Sequence, residues 1–283
     1  MTQPATPLSP QDHDRNRAGM TYVYPVLSRR AGGLSVGINL NPNNACNWRC
    51  IYCQVPGLTR GAPPAIDLEL LESELRRQLE QVVHGDFLQR ELPEGFRRLA
   101  DTAFSGNGEP TSAREFPQAV ALVGQVLREF GLADSVKVRL ITNGSLVERP
   151  HVLAAIGELS RCNGEVWFKL DAATPDAIAR INDVQLDPRT VLERLRHCAR
   201  ACPTWVQTCM FALDDTPPAE PELAAYLDLL AQVAGEIAGV HLYGLARPSL
   251  QPEAPRLARL PATWLEDCAE RIRQRGLIVQ VSP

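Results

Sequence analysis

Short apolar runs that return at a steady interval, each followed by a longer amphipathic stretch, constrain this chain more than any other feature. The runs fall at residues 34–40, 102–105, 136–142, 166–171, 205–211, 240–246 and 277–281. From the second onward they recur roughly every 30–40 residues, the spacing of β-α units in a parallel sheet. The stretches between them carry helical periodicity. Leu68, Leu71, Leu75, Leu79 and Val82 step by three and four residues and share one helix face. Similar patterns cover 116–130, 191–201, 223–237 and 264–275. Six or seven such units predict an α/β fold, a full or partial (β/α) barrel of parallel strands occupying residues 20–283. No Gly/Ser-rich linker or low-complexity tract interrupts it, and the Pro-rich segment 216–221 reads as a loop entering a helix. Residues 1–19, rich in Pro, Gln and Asp, read as a flexible arm.

Side chains on a strand alternate between its two faces. Over 166–171, Val166, Phe168 and Leu170 share a face suited to helix packing, while Trp167, Lys169 and Asp171 share the other. The same parity turns Arg139, Asn143, Gln207, Cys209, His241, Tyr243 and Arg247 toward the barrel interior. A barrel filled by packing alone would present branched aliphatics there. Charged groups inside are costly unless they pair or meet a polar ligand, so this lumen is expected to hold a polar cofactor and substrate. A buried structural ion pair would explain Lys169 and Asp171 equally, and Gln207 has a similar structural alternative. Arg247, with Pro248 behind it, falls at the C-terminal rim where barrel sites assemble. It can clamp a carboxylate or phosphate or form a surface salt bridge. Tyr243 and Arg247 are the candidate substrate contacts.

A chain of 283 residues buries a core without disulfide staples, so its eight cysteines need another explanation. Cys46, Cys50 and Cys53 lie within eight residues, and Cys162, Cys198, Cys202, Cys209 and Cys268 are scattered. Such a cluster outside a short, cysteine-dense scaffold means metal or redox chemistry. Three thiolates on one loop cannot by themselves complete a structural zinc site, which takes four ligands; the next histidine downstream is His84. They do suit a [4Fe–4S] cubane with one iron left open. Zinc completed from elsewhere and free structural thiols are the alternatives. A second turn, Ser105-Gly106-Asn107-Gly108-Glu109-Pro110-Thr111, follows the run at 102–105. Its glycines permit a tight turn and close backbone approach to a ligand, although a plain strand-to-helix turn has the same composition.

With Tyr52 before the last cysteine, the spacing C-x3-C-x2-C resembles the signature of the radical S-adenosylmethionine (SAM) superfamily. Upstream, Tyr24-Pro25-Val26-Leu27-Ser28-Arg29-Arg30 and Gly33-Leu34-Ser35-Val36-Gly37 are similar to a wyosine-synthase-related subgroup rich in Fe–S oxidoreductases. The resemblance covers nearly everything after residue 20. It implies that Cys46, Cys50 and Cys53 hold a [4Fe–4S] cluster. It implies that Gly106, Asn107, Gly108, Glu109 and Pro110 form the loop receiving the amino group of SAM, Asn107 standing where one glycine is usual. Tyr52 would pack near the adenine, and Asn143, Lys169, Asp171 and Gln207 would complete the cofactor contacts. The implied activity is reductive cleavage of SAM to a 5′-deoxyadenosyl radical that takes hydrogen from a small polar molecule or a peptide. An electron donor such as flavodoxin or ferredoxin follows from that chemistry.

Two other classes compete. A wyosine-type enzyme would modify tRNA, but a net charge of −4 lacks the basic surplus of phosphate-gripping proteins. A non-catalytic Fe–S or zinc protein is the other. No apolar run approaches the ~18 residues of a membrane span and no secretory h-region is visible, so a cytoplasmic location and no membrane partner are expected. Cys198 and Cys202, four apart beside His197, read as auxiliary-cluster ligands or as one buried helix face. Cys209 reads as a lumen thiol able to return a hydrogen atom, or as a small core residue.

Overall fold

The computed structural model describes residues 8–9 and 19–283. Its main sheet has eight strands: β1 (Val23–Ser28), β2 (Gly33–Ile38), β3 (Leu99–Phe104), β4 (Lys137–Thr142), β5 (Gly164–Lys169), β6 (Thr204–Cys209), β7 (Gly239–Tyr243) and β8 (Val279–Ser282). Their spatial order is their chain order. Every neighbouring pair from β2 to β8 is parallel, and β1 alone runs antiparallel, against β2. Strands β1 and β8 are the two edges, so the expected barrel is a partial one. Seven parallel strands stand where seven runs were expected.

Strand β1 is the addition. Pro25 sits in its middle, opposite Val36 of β2, and a proline is tolerated there because an edge strand needs only one ladder. One boundary that bears on the site also moves. Strand β7 ends at Tyr243, which puts Arg247 in the following loop, where strand parity no longer orients it.

Among the described residues, seven helices of eight residues or more accompany the sheet, with a five-residue turn of helix at Phe87–Glu91 besides: α1 (Leu68–Val83), α2 (Phe116–Glu129), α3 (Pro150–Arg161), α4 (Pro175–Asn182), α5 (Pro188–Ala201), α6 (Glu220–Ala231) and α7 (Ala262–Arg273). Asp67, Thr174 and Asp187 cap α1, α4 and α5 through backbone N–H groups of the first turn. Proline opens α3, α4 and α5, where its missing N–H costs nothing. The short α3 and α4 lie outside the periodic stretches of the sequence.

Leu71, Leu75 and Leu79 of α1 are fully buried with Leu34, Val36 and Ile38 of β2. Among them Glu74 is buried too, and its carboxylate accepts from the backbone N–H groups of Thr21 (2.7 Å), Tyr22 (2.8 Å) and Val23 (3.1 Å). This bond set fixes where β1 starts. Arg29, in the turn after β1, donates to the carbonyl of Pro283 (3.1 Å) beyond β8 and links the two edges. Of the segment expected as an arm, residues 1–7 and 10–18 lie outside the described residues. Leu8 is buried and its N–H donates to the carbonyl of Glu91 (2.8 Å). No helix among the described residues is long and apolar enough to cross a membrane.

Candidate functional site

The curled sheet encloses a cavity of about 300 Å³ whose wall includes Cys46, Cys50 and Cys53, the turn after β3 and the inward side chains of β3 to β7. The cysteine loop leaves β2 through a turn in which Asn44 takes a positive φ of 57°. It is then docked on two neighbours. The N–H groups of Arg49 and Ile51 donate to the carbonyls of Asn182 (3.2 Å) and Ile181 (2.9 Å) at the end of α4. From the loop after β7, Ser249 Oγ donates to the carbonyl of Ile51 (2.7 Å), Gln251 Nε2 to that of Val55 (3.1 Å), and the Leu250 N–H to that of Cys53 (2.9 Å). Arg49 forks onto both carboxylate oxygens of Glu253 (2.9 and 2.8 Å) and also meets Asp183 (3.0 Å).

These bonds consume backbone groups; the thiols meet two donors, and Cys46 Sγ itself makes a long contact to Asn47 Oδ1 (3.9 Å). Asn182 Nδ2 lies 3.2 Å from Cys50 Sγ, and the Trp48 N–H 3.5 Å from Cys46 Sγ. Burial pushes the Cys46 thiol up to about 11 and the Cys50 thiol to about 12. A thiolate at either position therefore calls for a cationic partner, which a bound metal supplies. Asn182, Ser249, Gln251 and Glu253 carried no signal in the sequence, because their roles depend on distant segments meeting.

The turn after β3 fits over the chain leading to the cysteines. Gly106 has φ 132°, and a Cβ there would stand 2.5 Å from Asn39 Oδ1. A Cβ on Gly108 would collide with the carbonyl oxygen of Ala45. Both glycines are thus required for this close approach. The Asn107 N–H donates to Asn39 Oδ1 (3.1 Å), and Asn107 Nδ2 to Asn44 Oδ1 (2.6 Å). Glu109 is buried and turned into the protein. Its oxygens accept from the Thr111 N–H (3.2 Å) and hydroxyl (2.6 Å), the Thr142 hydroxyl (2.6 Å) and the Asn143 N–H (2.7 Å). Burial raises its pKa while those donors oppose the rise. Glu109 therefore ties the turn to the end of β4, and buried Pro110 opens the short 3-10 turn that follows. Asn143 Nδ2 reaches Asn47 Oδ1 (2.9 Å) in the cysteine loop.

Inside the lumen, the direct Lys169–Asp171 ion pair considered from sequence is replaced by a relay. Lys169 Nζ donates to the Tyr52 hydroxyl (2.8 Å), which donates to Asp171 Oδ2 (2.6 Å). Asp171 also accepts from Asn182 Nδ2 (3.0 Å) and the Cys209 N–H (3.1 Å). Burial works against the Lys169 charge, but Tyr243, Asp171 and two nearby thiols outweigh it and raise its pKa. Lys169 is a fixed cation. Burial, then Asp171, raises the Tyr52 phenol, which stays protonated. Arg247 lines the cavity and donates from Nε to Gln54 Oε1 (2.9 Å). Cys209 is buried against Tyr52 and Phe211, with its thiol raised by burial and Asp171. Cys198 and Cys202 pack in the main apolar core with Cys162 and Cys268.

A sequence profile described as the Radical SAM superfamily matches residues 40–227, two thirds of the chain. The chain belongs to the radical SAM superfamily. Its fold is shared with TYW1, solved with a lysine–pyruvate adduct bound (TM-score 0.58, 13% identity, 94% of this chain and 79% of that one). It is shared as well with a radical SAM methyltransferase from Sphaerobacter thermophilus (TM-score 0.57, 15% identity, 92% and 68%). At those identities the likeness is one of fold. Among curated proteins, a Brachyspira hyodysenteriae protein named GTPase Obg is 28% identical over 126 residues. That match takes in 44% of this chain, which spans only 15% of the curated relative.

The radical SAM cofactors, a [4Fe–4S] cluster and SAM, fit the donors present. Among the described residues no three His, Cys, Asp or Glu side chains converge as they would around one ion. A cubane needs no such convergence, because its thiolates bind different irons.

Proposed function

We propose that this chain is a radical SAM enzyme whose cluster is held by Cys46, Cys50 and Cys53 and whose SAM occupies the cavity beside them. The observation that carries this is the placement of three half-buried thiols on one loop, all lining the cavity that the glycine turn and the polar lumen also face. When bound, the reduced cluster and SAM supply a 5′-deoxyadenosyl radical that abstracts hydrogen from a substrate. The chain's own groups position and shield. The Gly106–Asn107–Gly108 backbone offers the cavity its peptide groups, and Asn143 and Lys169 present polar atoms to SAM. Asp171 acts through Tyr52, holding that ring beside the cysteines, and Glu109 acts by fixing the turn. Gln207 is oriented toward Arg30 and serves the deeper part of the lumen.

A reductant and a substrate are the partners such chemistry requires, with flavodoxin or ferredoxin suited to the first. A small polar molecule or a peptide suits the lumen better than tRNA, given the net charge of −4. The lysine–pyruvate adduct belongs to TYW1; Lys169 here donates to the Tyr52 hydroxyl. Its cysteine chemistry and lack of a spanning helix among the described residues suit a reducing, cytoplasmic setting.

Anaerobic reconstitution tests this directly. Wild-type protein should take up four irons and four sulfides per chain and release 5′-deoxyadenosine with dithionite and SAM. Cys46→Ala, Cys50→Ala or Cys53→Ala should abolish both, and Cys198→Ala should change neither. One zinc per chain and no iron, or a fully loaded cluster indifferent to SAM, would sink the proposal.

A further inference from the structure

Beneath the Tyr52 relay the lumen continues to a floor formed by the preceding inward residues of the same strands. Trp167, Gln207 and His241 are those residues; in register, Trp167 stands beside Trp205, Gln207 beside both Lys169 and His241, and Tyr243 beside Cys209. Two residues along a strand is about 6.6 Å, so Trp167 lies one side-chain layer farther from the cysteines than Lys169. Arg30 enters this layer from the β1–β2 turn. Its guanidinium lies 5.0 Å from the Trp167 ring centroid and 4.7 Å from that of Tyr243. Donor and acceptor chemistry assigns the Gln207 amide oxygen to the Arg30 side, since the amide nitrogen there would set donor against donor; so turned, it accepts from both Nη atoms, at 3.1 Å for Nη2.

The charges around Arg30 are spoken for. Asp101 accepts from Ser35 and pairs with Arg139, which also pairs with Glu165 (2.6 Å). Glu109 is bonded to hydroxyls and backbone. Among the described residues no carboxylate stands within ion-pair distance of Arg30, although it lines the cavity. A guanidinium carries five N–H donors, and one amide oxygen takes two of them. Burial lowers the Arg30 pKa. Arginine keeps its proton in proteins, so Arg30 stands in the cavity wall as a half-buried cation. Two aromatic faces fix the plane of the fork, which is the arrangement that favours bidentate recognition of a planar anion.

We propose that Arg30 is the anion-binding element of a substrate subsite on the barrel floor, where a carboxylate or phosphate of the substrate takes the N–H groups left open by Gln207. The subsite rests on the radical SAM reading of the cavity and adds to it the class of substrate, a small anionic molecule reaching past SAM with its charged end. Trp167 and Tyr243 bracket the bound group, and Asp101 and Glu165 are bonded directly to Arg139 rather than to Arg30.

The test is calorimetric titration of the reconstituted holoenzyme with inorganic phosphate and, separately, with succinate, each with and without saturating SAM. Saturable binding of at least one anion is expected in the presence of SAM. Phosphate alone binding identifies a phosphorylated substrate, and succinate alone a carboxylate. Arg30→Gln should weaken binding about tenfold or more, the worth of one charge-assisted hydrogen bond. Arg30→Lys keeps the charge without the fork and should fall between; it decides the question if Arg30→Gln loses its native circular dichroism. No saturable binding up to about 10 mM, the weak end of specific affinity, would overturn the proposal. So would binding unchanged in both variants, or binding abolished by SAM, which would assign the fork to the carboxylate of the cofactor. A wild type that cleaves SAM yet binds neither anion rejects the subsite alone. One that binds them through Arg30 but holds zinc rejects the radical chemistry alone.

Discussion

At the C-terminal rim, Ser249, Gln251 and Asn182 spend their donors on the backbone and sulfur of the cysteine loop, whereas on the floor Asp101, Arg139 and Glu165 spend their charges on one another. Both regions are polar and both lie inside one sheet. The rim immobilises a loop mostly through neutral hydrogen bonds, with the partly exposed Arg49 clamp beside them, so its reactive thiols keep their valence for a metal. The floor is an ion cluster that is costly to bury and costlier to break. What separates them is how much each loses when one partner is removed, and three variants probe that difference.

The largest effect should come from the centre of the floor. Arg139 is the shared cation of two largely buried carboxylates, and its guanidinium also lies 4.7 Å from the Trp167 ring. Arg139→Leu leaves both carboxylates buried without a counter-ion, and removing one partner of such a set costs about 3–5 kcal/mol. Urea unfolding at neutral pH should show the loss as a lower midpoint with an unchanged slope. A loss below about 1 kcal/mol would place the floor with ordinary surface pairs and erase the contrast.

His241 gives the next effect, and it depends on pH. Its ring lies between Trp167 and Trp205, at centroid distances of 4.4 and 4.6 Å. Burial, with Arg30 and Arg139 nearby, lowers its pKa to about 3. The folded protein thus refuses a proton that the unfolded chain accepts below about 6.5. The stability this neutral ring allows is intact above that value and is lost as pH falls toward 3. Between pH 7 and pH 5 the loss is about 2 kcal/mol. His241→Leu should flatten the unfolding free energy over that window, and an unaltered slope would assign the acid sensitivity to other groups.

Much of this was legible in the strand alternation. Parity alone sorted Val166 and Phe168 from Trp167 and Lys169, because a parallel strand under helices has only two faces. The cysteine spacing was legible for a similar reason: it is local. Arg30 was not, since an arginine in a hairpin turn has the same local pattern whether it points to water or into a lumen. Strand β1 escaped for want of alternation and for Pro25. The Tyr52 hydroxyl between Lys169 and Asp171 needs two loops to meet, and no period encodes that.

The smallest effect belongs to the rim clamp. Hydrogen bonds from Arg49 hold the Glu253 carboxyl below its ordinary range, and those from Arg60 and Arg49 do the same for Asp183. A carboxylate with a depressed pKa stabilises the fold above the ordinary carboxylate range and ceases to as pH falls below about 4. The clamp is partly exposed, with Asp183 the most accessible of the three, so screening limits its worth to about 1 kcal/mol or less. Glu253→Gln should therefore leave global unfolding almost unmoved while speeding amide exchange across 46–53. That acceleration should shrink in high salt, where the wild-type pair is itself weakened, and vanish once pH falls through the depressed pKa of Glu253, where wild type and variant both lack the charge. An exchange difference that survives both conditions would mean that shape rather than charge seats the cysteine loop.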